Sequence, residues 1–203
     1  MAIRNIVFDI GNVVVPWEPH DIVREAFGSE RAERPDFRSP LAGNPVWLAV
    51  NRGEHTLAEA KQLYVAEQGF EPEEIDRTYE ILFERMRPMD DSVALMRELA
   101  AADYRLFAIT DNVREVVAHI AANHDFWAMF EHASVSAELG VLKPDPRMYC
   151  HLLETASLEP GECVFFDDVA ANVEGAQAVG MVAHVFTDAQ GARADLQVLD
   201  VRF

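Results

Sequence analysis

Ile6-Val7-Phe8-Asp9-Ile10-Gly11-Asn12-Val13-Val14 is the stretch that decides the fold. An apolar run rich in Val and Ile delivers a single aspartate to a turn. A run that is apolar at every position, rather than at alternate ones, reads as a parallel strand buried on both faces. Ligands of such sheets sit beyond the carboxyl ends of the strands. Asp9 is therefore placed where chemistry is done. Alone, an aspartate at a strand end is a turn or cap residue. Its meaning depends on what the rest of the chain brings beside it.

Similar apolar runs recur at 105–110, 133–136, 163–167 and 181–186, and the first extends over 3–9. Helical periodicity fills the intervals at 92–102, 113–123, 147–156 and 169–179, the last stopping at Gly180 as a C-cap. Strands alternating with helices of this length predict a doubly wound parallel α/β sheet. Residues 17–87 break the pattern. They contain no convincing strand, a Thr56-Leu57-Ala58-Glu59 capping box, turn signals at Pro35, Pro40, Gly43, Asn44-Pro45 and Gly69, and an amphipathic stretch at 73–86 ended by Pro88. The expected organisation is a core of 1–16 and 88–203 with a helical insertion at 17–87. The tail beyond Thr187 is polar, with weak strand character at 196–201, and takes no assignment.

With 203 residues, half of them hydrophobic, the chain can bury a substantial core. Its net charge of −18 excludes nucleic acid and anionic membrane as partners, because both are repelled. A phosphorylated small molecule remains compatible, since a few local cations and a metal outweigh the distant field. Cys150 and Cys163 lack CxxC spacing and read as reduced thiols of a cytoplasmic protein. No apolar run approaches the roughly 20 residues that span a bilayer. The N-terminus leads straight into a strand, so no signal peptide is expected. A monomer and a homodimer both fit this reading.

Three further motifs join Asp9. Thr110-Asp111-Asn112 follows a strand and opens a helix, where a hydroxyl and a helix N-terminus hold an anionic oxygen. Lys143, in Gly140-Val141-Leu142-Lys143-Pro144-Asp145-Pro146, offers a point charge on a loop stiffened by two prolines. Val164-Phe165-Phe166-Asp167-Asp168 ends a strand in two acids that repel each other unless a cation joins them. With Asp9 they form a hard-oxygen cluster suited to Mg²⁺. Taken singly these are a cap, a surface turn and a solvated helix start. All four, however, border the same edge of one sheet. Together they supply nucleophile, oxyanion contact, counter-charge and metal site.

This order resembles the haloacid dehalogenase-like superfamily across nearly the whole chain. Asp9 matches its first motif, Thr110 its second, Lys143 its third and Asp167-Asp168 its fourth. Phe8 to Val13 and Phe165 to Ala176 are similar to the bacterial branch that includes alpha-D-glucose-1-phosphate phosphatase. The resemblance implies a Rossmann-like core with an inserted helical C1 cap, hinged near Val15-Pro16 and Arg87-Pro88, and the strands ending in Asp9 and Asp168 side by side. It also implies phosphomonoester hydrolysis through an aspartyl-phosphate on Asp9. Asp9, Thr110 and Lys143 would be catalytic. Gly11, Asn12, Thr110, Asp111, Asn112 and Lys143 would hold the phosphate. Asp9, the Gly11 backbone oxygen, Asp167 and Asp168 would bind Mg²⁺.

The chain departs from the family pattern at Gly11. Most phosphatases of the family carry there an aspartate that protonates the leaving group, and general acid–base help is typically worth about 10²–10⁴ in rate. Three readings follow. Glu18, His20 or Asp111 substitutes; the leaving group is acidic, as in a sugar 1-phosphate; or the protein is a weak catalyst that binds a phosphate ligand or a partner. A metal-independent dehalogenase is a further alternative, which leaves Asp167-Asp168 without a cation. A second departure is Asp111, where the family often has asparagine. In the insertion, Trp17, Asn44, Trp47, Arg52, Glu54 and His55 are candidates for leaving-group contact, the tryptophans reading more readily as its core. His119, His124, His132, His151 and His184 show no metal-ligand spacing.

Overall fold

A computed structural model describes residues 2–203. Five parallel strands, β1 (Asn5–Phe8), β2 (Arg105–Thr110), β3 (Phe130–Val135), β4 (Cys163–Asp167) and β5 (Val182–Val185), form one sheet in the order β3-β2-β1-β4-β5. β1 lies at the centre, between β2 and β4. The uniformly apolar run of its sequence follows from that place: all four of its residues are buried.

The alternation of the strands splits the core in two. Ile6, Phe8, Leu106, Ala108, Val164 and Phe166 face one layer. Val7, Phe107, Ile109, Cys163 and Phe165 face the other. Five helices are inserted after β1: α1 (Pro19–Phe27), α2 (Ser29–Ala32), α3 (Pro45–Asn51), α4 (Leu57–Gln68) and α5 (Pro72–Arg85). Six follow them: α6 (Asp90–Ala101), α7 (Arg114–Asn123), α8 (Ser136–Leu139), α9 (Pro146–Thr155), α10 (Ala170–Ala178) and α11 (Ala189–Val198). The first layer takes apolar residues of α6, α7, α11 and the insertion. The second takes Met148, Tyr149 and Leu152 of α9 with Val173 and Ala176 of α10.

The insertion contains no strand among the described residues. Its helix signals act as read. Thr56 and Glu59 cap α4 reciprocally, at 3.2 and 2.8 Å, and Gly69 ends it in the left-handed conformation. Asn44 caps α3, accepting from the Val46 N–H at 3.0 Å.

Two expectations change. The unassigned tail, with its weak strand signal at 196–201, is the helix α11. Asp188 caps it by accepting from the Gly191 N–H at 2.7 Å, and Ala189, Ala192 and Leu196 supply the buried face at helical spacing. Of the apolar residues in that stretch, Leu196 and Val201 are buried while Val198 is 82% exposed. β3 begins three residues before the apolar run at 133–136. It is an edge strand, so Glu131 and His132 are tolerated where a central strand would exclude them.

The segment between α3 and α4 is fastened to the core by its backbone. Ser136 Oγ donates to the Asn51 carbonyl at 2.7 Å, Arg114 to the Gly53 carbonyl at 3.1 Å, and the Leu57 N–H donates to Glu115 at 2.8 Å. Gly53 adopts φ +68°, and a Cβ there would lie 2.0 Å from the Ala137 carbonyl oxygen. Gly53→Ala therefore combines backbone strain with a backbone clash. It is expected to lower stability by more than about 1 kcal/mol, read as a fall of roughly 2–4 °C in Tm per kcal/mol. An unchanged melting temperature would show that this contact does not hold the insertion.

Candidate active site

The carboxyl edge of the sheet gathers the motifs. Asp9 follows β1, Thr110 ends β2, and Asp167 ends β4 with Asp168 next to it. The loop after α8 brings in Lys143, whose ammonium is almost fully buried. Its Nζ lies 2.9 Å from Asp9 Oδ1 and 2.6 Å from Asp167 Oδ2, and donates to the Ile109 carbonyl at 3.2 Å. The Phe165 ring lies beneath, its centroid 5.6 Å away. Burial works against the lysine charge, but Asp9, Asp167 and Asp111 together hold its pKa above the ordinary value. Burial pushes Asp9 up to about 7, against the pull of Lys143.

The two acids of the fourth motif are placed differently. Asp167 is completely buried with both oxygens engaged. Oδ1 accepts from the Val169 N–H at 2.8 Å and from Asn172 at 3.0 Å, and Oδ2 accepts from Lys143 and from Asn172 at 3.1 Å. Asp168 borders the cavity above, and its Oδ2 accepts from Asn12 Nδ2 at 2.9 Å. Asn12 Oδ1 in turn accepts from the Trp17 N–H at 2.8 Å. Asn12 thus ties the second carboxylate to the start of the insertion. Asp9, Asp167 and Asp168 each have an oxygen within 4.8 Å of the others. The Asp167 oxygens, expected from the sequence to bind the ion, are however taken up by Lys143, Asn172 and the Val169 N–H, so Asp9 and Asp168 are the carboxylates left to face it. With Asp111 nearby, one lysine faces four carboxylates, an excess of negative charge that a divalent cation with hard-oxygen preference offsets. The donor set fits such an ion.

Asp111 is turned away from this role. Its carboxylate accepts from the Lys143 backbone N–H at 3.0 and 3.1 Å. Burial raises its pKa and Lys143 pulls the other way. The acid that replaces the family's asparagine fastens the lysine loop. Thr110 is buried at the end of β2, and Asp111 and Asn112 form the cavity wall there. At Gly11 a Cβ would sit 3.5 Å from Trp17 Cβ, an ordinary contact.

A cavity of about 280 Å³ opens over Asp9, between the strand edge and the insertion. A larger hollow, about 390 Å³, lies on the insertion beside Arg34, Arg38, Phe37 and Phe70. It borders none of the four motifs, and two of its three arginines are already paired, Arg31 with Glu74 and Arg34 with Asp36.

Of the insertion candidates, Trp17 and Trp47 line the cavity over Asp9 and stack on each other, with centroids 5.8 Å apart and planes 9° from parallel. The other four do not line it. Arg52 pairs with Glu54 at 2.5 Å, and Asn44 is occupied with α3 and with Gln68; His55 also lies off the wall. Neither substitute acid from the first turn of the insertion reaches the site. Glu18 pairs with Arg85 at 2.9 Å, and His20 is exposed beside Asp21. Missing from the sequence reading were Asn172 and the aliphatic wall of Leu48, Leu82, Met86, Val116 and Val169. Asn172 had a signal, its place in the first turn of the helix after Asp168. The wall had none, because aliphatic residues of an insertion read as its core.

A doubly wound sheet that gathers a strand-end aspartate, a buried lysine and an acid pair defines an enzyme that handles an anionic group. The chain belongs to the haloacid dehalogenase-like hydrolase family, whose pattern matches residues 3–180. It is 27% identical to the sesquiterpene phosphatase astK of Aspergillus oryzae, over 95% of this chain and 94% of that protein. It is 25% identical to flavin mononucleotide hydrolase 1 of Arabidopsis thaliana, over 97% of this chain and 77% of that one. A family enzyme from Bacteroides thetaiotaomicron, solved with magnesium and inorganic phosphate, shares the fold at a TM-score of 0.74 and 18% identity, over 91% of this chain and 94% of that chain.

Removing the lysine charge leaves two buried carboxylates facing each other. Lys143→Met is expected to cost about 3–5 kcal/mol in urea unfolding, and Lys143→Met with Asp167→Asn to recover part of that loss. Strictly additive losses in the double variant would show that the two charges are not coupled.

Proposed function

We propose that the protein is a Mg²⁺-dependent phosphomonoester hydrolase that works through an aspartyl-phosphate on Asp9, with residues 17–87 serving as a cap over the site. The observation that carries this reading is the contact of Lys143 Nζ with both Asp9 and Asp167 at the edge of the cavity. Two relatives with phosphate-ester names and a fold neighbour holding magnesium and phosphate support it.

The residues divide the work as follows. The Ile10 N–H donates to Asp9 Oδ1 at 2.7 Å, and Lys143 meets the same oxygen. The nucleophile is thereby fixed, and its Oδ2 has no protein donor among the described residues. Attack forms the Asp9 O–P bond as the bond from phosphorus to the leaving oxygen breaks, and the electron pair departs with the alcohol. Lys143, the Thr110 hydroxyl and the amides of the Asp111-Asn112 turn take up charge on the transferred oxygens. Water then hydrolyses the acyl-phosphate and frees Asp9. Asp9, Asp168 and the Gly11 carbonyl would hold Mg²⁺, which would supply charge neutralisation for the phosphate when bound. Asp167 acts one step back, orienting the lysine and balancing its charge.

With Gly11 in place of an acid, the departing oxygen must carry its own negative charge well. Sugar 1-phosphates, enol phosphates and aryl phosphates meet that demand; simple alkyl phosphates do not.

Phosphate release from p-nitrophenyl phosphate with Mg²⁺ tests the reading. Asp9→Asn is expected to reduce it on the order of 10³-fold or more, and EDTA to abolish it until Mg²⁺ is restored. Full activity in Asp9→Asn sinks the mechanism. Gly11→Asp is expected to raise kcat/KM on alkyl phosphates by up to about 10²-fold, with little effect on aryl esters. An equal gain on both classes would mean that leaving-group protonation is not what Gly11 removes.

A further inference from the structure

The cavity over Asp9 is divided by chemistry. Its floor is polar and charged, with Asp9, Asp111, Lys143 and Asp168. Its roof is apolar. The insertion contributes Trp17, Trp47, Leu48 and Met86; its polar groups there are the two indole N–H groups and Asn51, whose Nδ2 already donates to the Trp47 carbonyl at 2.8 Å. Lys143 is the only cation in the lining, and Asp9 and Asp167 occupy it. Leu48 and Val169 border the same cavity from the insertion and from the core, yet are 39% and 47% exposed. Both sides of the opening therefore show apolar surface to water.

Such a roof discriminates. A sugar with several hydroxyls would find few partners there, because the insertion offers only the two indole N–H groups and Asn51 among aliphatic and aromatic carbon. A second phosphate or a carboxylate on the leaving group would meet no counter-charge. An apolar group gains from the same wall. The acid missing at Gly11 acts in the same direction, because Trp17 packs beside that position and extends the apolar surface down to the backbone next to the nucleophile.

We propose that the alcohol half of the substrate is an uncharged apolar group whose departing oxygen is aryl- or enol-type, selected by Trp17, Trp47 and Leu48. This rests on the phosphomonoesterase reading above and names its substrate class. A sugar 1-phosphate satisfies the demand at Gly11 for an acidic leaving group, but not the roof.

The test compares phenyl phosphate with 2-naphthyl phosphate in the presence of Mg²⁺. The two phenols are close in acidity, so their ratio reports the wall rather than the chemistry. The naphthyl ester is expected to have a kcat/KM about ten-fold higher, carried by KM, with glucose 1-phosphate and fructose 1,6-bisphosphate below both. Leu48→Lys, at an exposed position on the rim, is expected to keep the wild-type melting temperature. It should bring the naphthyl-to-phenyl ratio towards one and raise the relative kcat/KM of the bisphosphate. A wild-type ratio at or below one, or a glucose 1-phosphate kcat/KM above that of the naphthyl ester, overturns the proposal while leaving a phosphatase. No phosphate release from any of the four esters overturns the phosphatase reading, and the proposal with it.

Discussion

Lys143 places a positive charge where water does not reach, between Asp9 and Asp167. Taking three ions out of water is costly, and their attraction repays it only when the geometry is tight and the remaining donors and acceptors are satisfied. The surrounding residues meet that condition. Asn172 and the Val169 N–H complete Asp167, the Ile109 carbonyl takes another lysine hydrogen, and Asp111 pins the lysine backbone. These contacts come from the ends of β1, β2 and β4 and from two loops. The parallel register of three strands is thus a precondition for one ion cluster. The cluster explains why polar residues are buried at this edge in an otherwise apolar sheet.

The arrangement also separates two acids that look equivalent in sequence. Asp167 ends β4 and has no free oxygen; Asp168, one residue later, has left the strand and borders the cavity. One acid therefore serves the lysine inside and the other serves the site outside. The same logic accounts for Asp111. As a motif it looked like an unwanted charge beside phosphate, yet its backbone partner on Lys143 makes it a fastener.

Much of this was legible because its causes are local. A strand buried on both faces must be apolar at every position, so β1, β2 and β4 stood out, and the acids that end them stood out against that background. The helix ends at Thr56 and Gly69 were legible for the same reason. Features set by distant contacts were not. α11 depends on packing Leu196 and Ala192 against the core, a contact that the polar sequence of the tail does not show by itself. Arg52 is a candidate for leaving-group contact by its place in the insertion, but it pairs with Glu54 two residues on and does not line the cavity. The roof was least legible, since Leu48 and Met86 are no different in sequence from residues that merely fill a helical core.

Roof and floor are also mechanically joined. The Ser136 hydroxyl donates to the Asn51 carbonyl at the end of α3 and accepts from the Asn112 N–H at 2.9 Å. One oxygen thereby links the helix that carries Trp47 and Leu48 to the turn that follows Thr110. Asn12 makes the second link, between Asp168 and the Trp17 backbone. The stacked tryptophans are thus tied to the motif residues, Trp17 through Asn12 to Asp168 and Trp47 through Asn51 and Ser136 to Asn112. A displacement of the roof cannot leave the floor untouched, because both links run through short hydrogen bonds rather than through solvent. Under the proposed reading, recognition of the alcohol half and alignment of the phosphate half would be two ends of the same network.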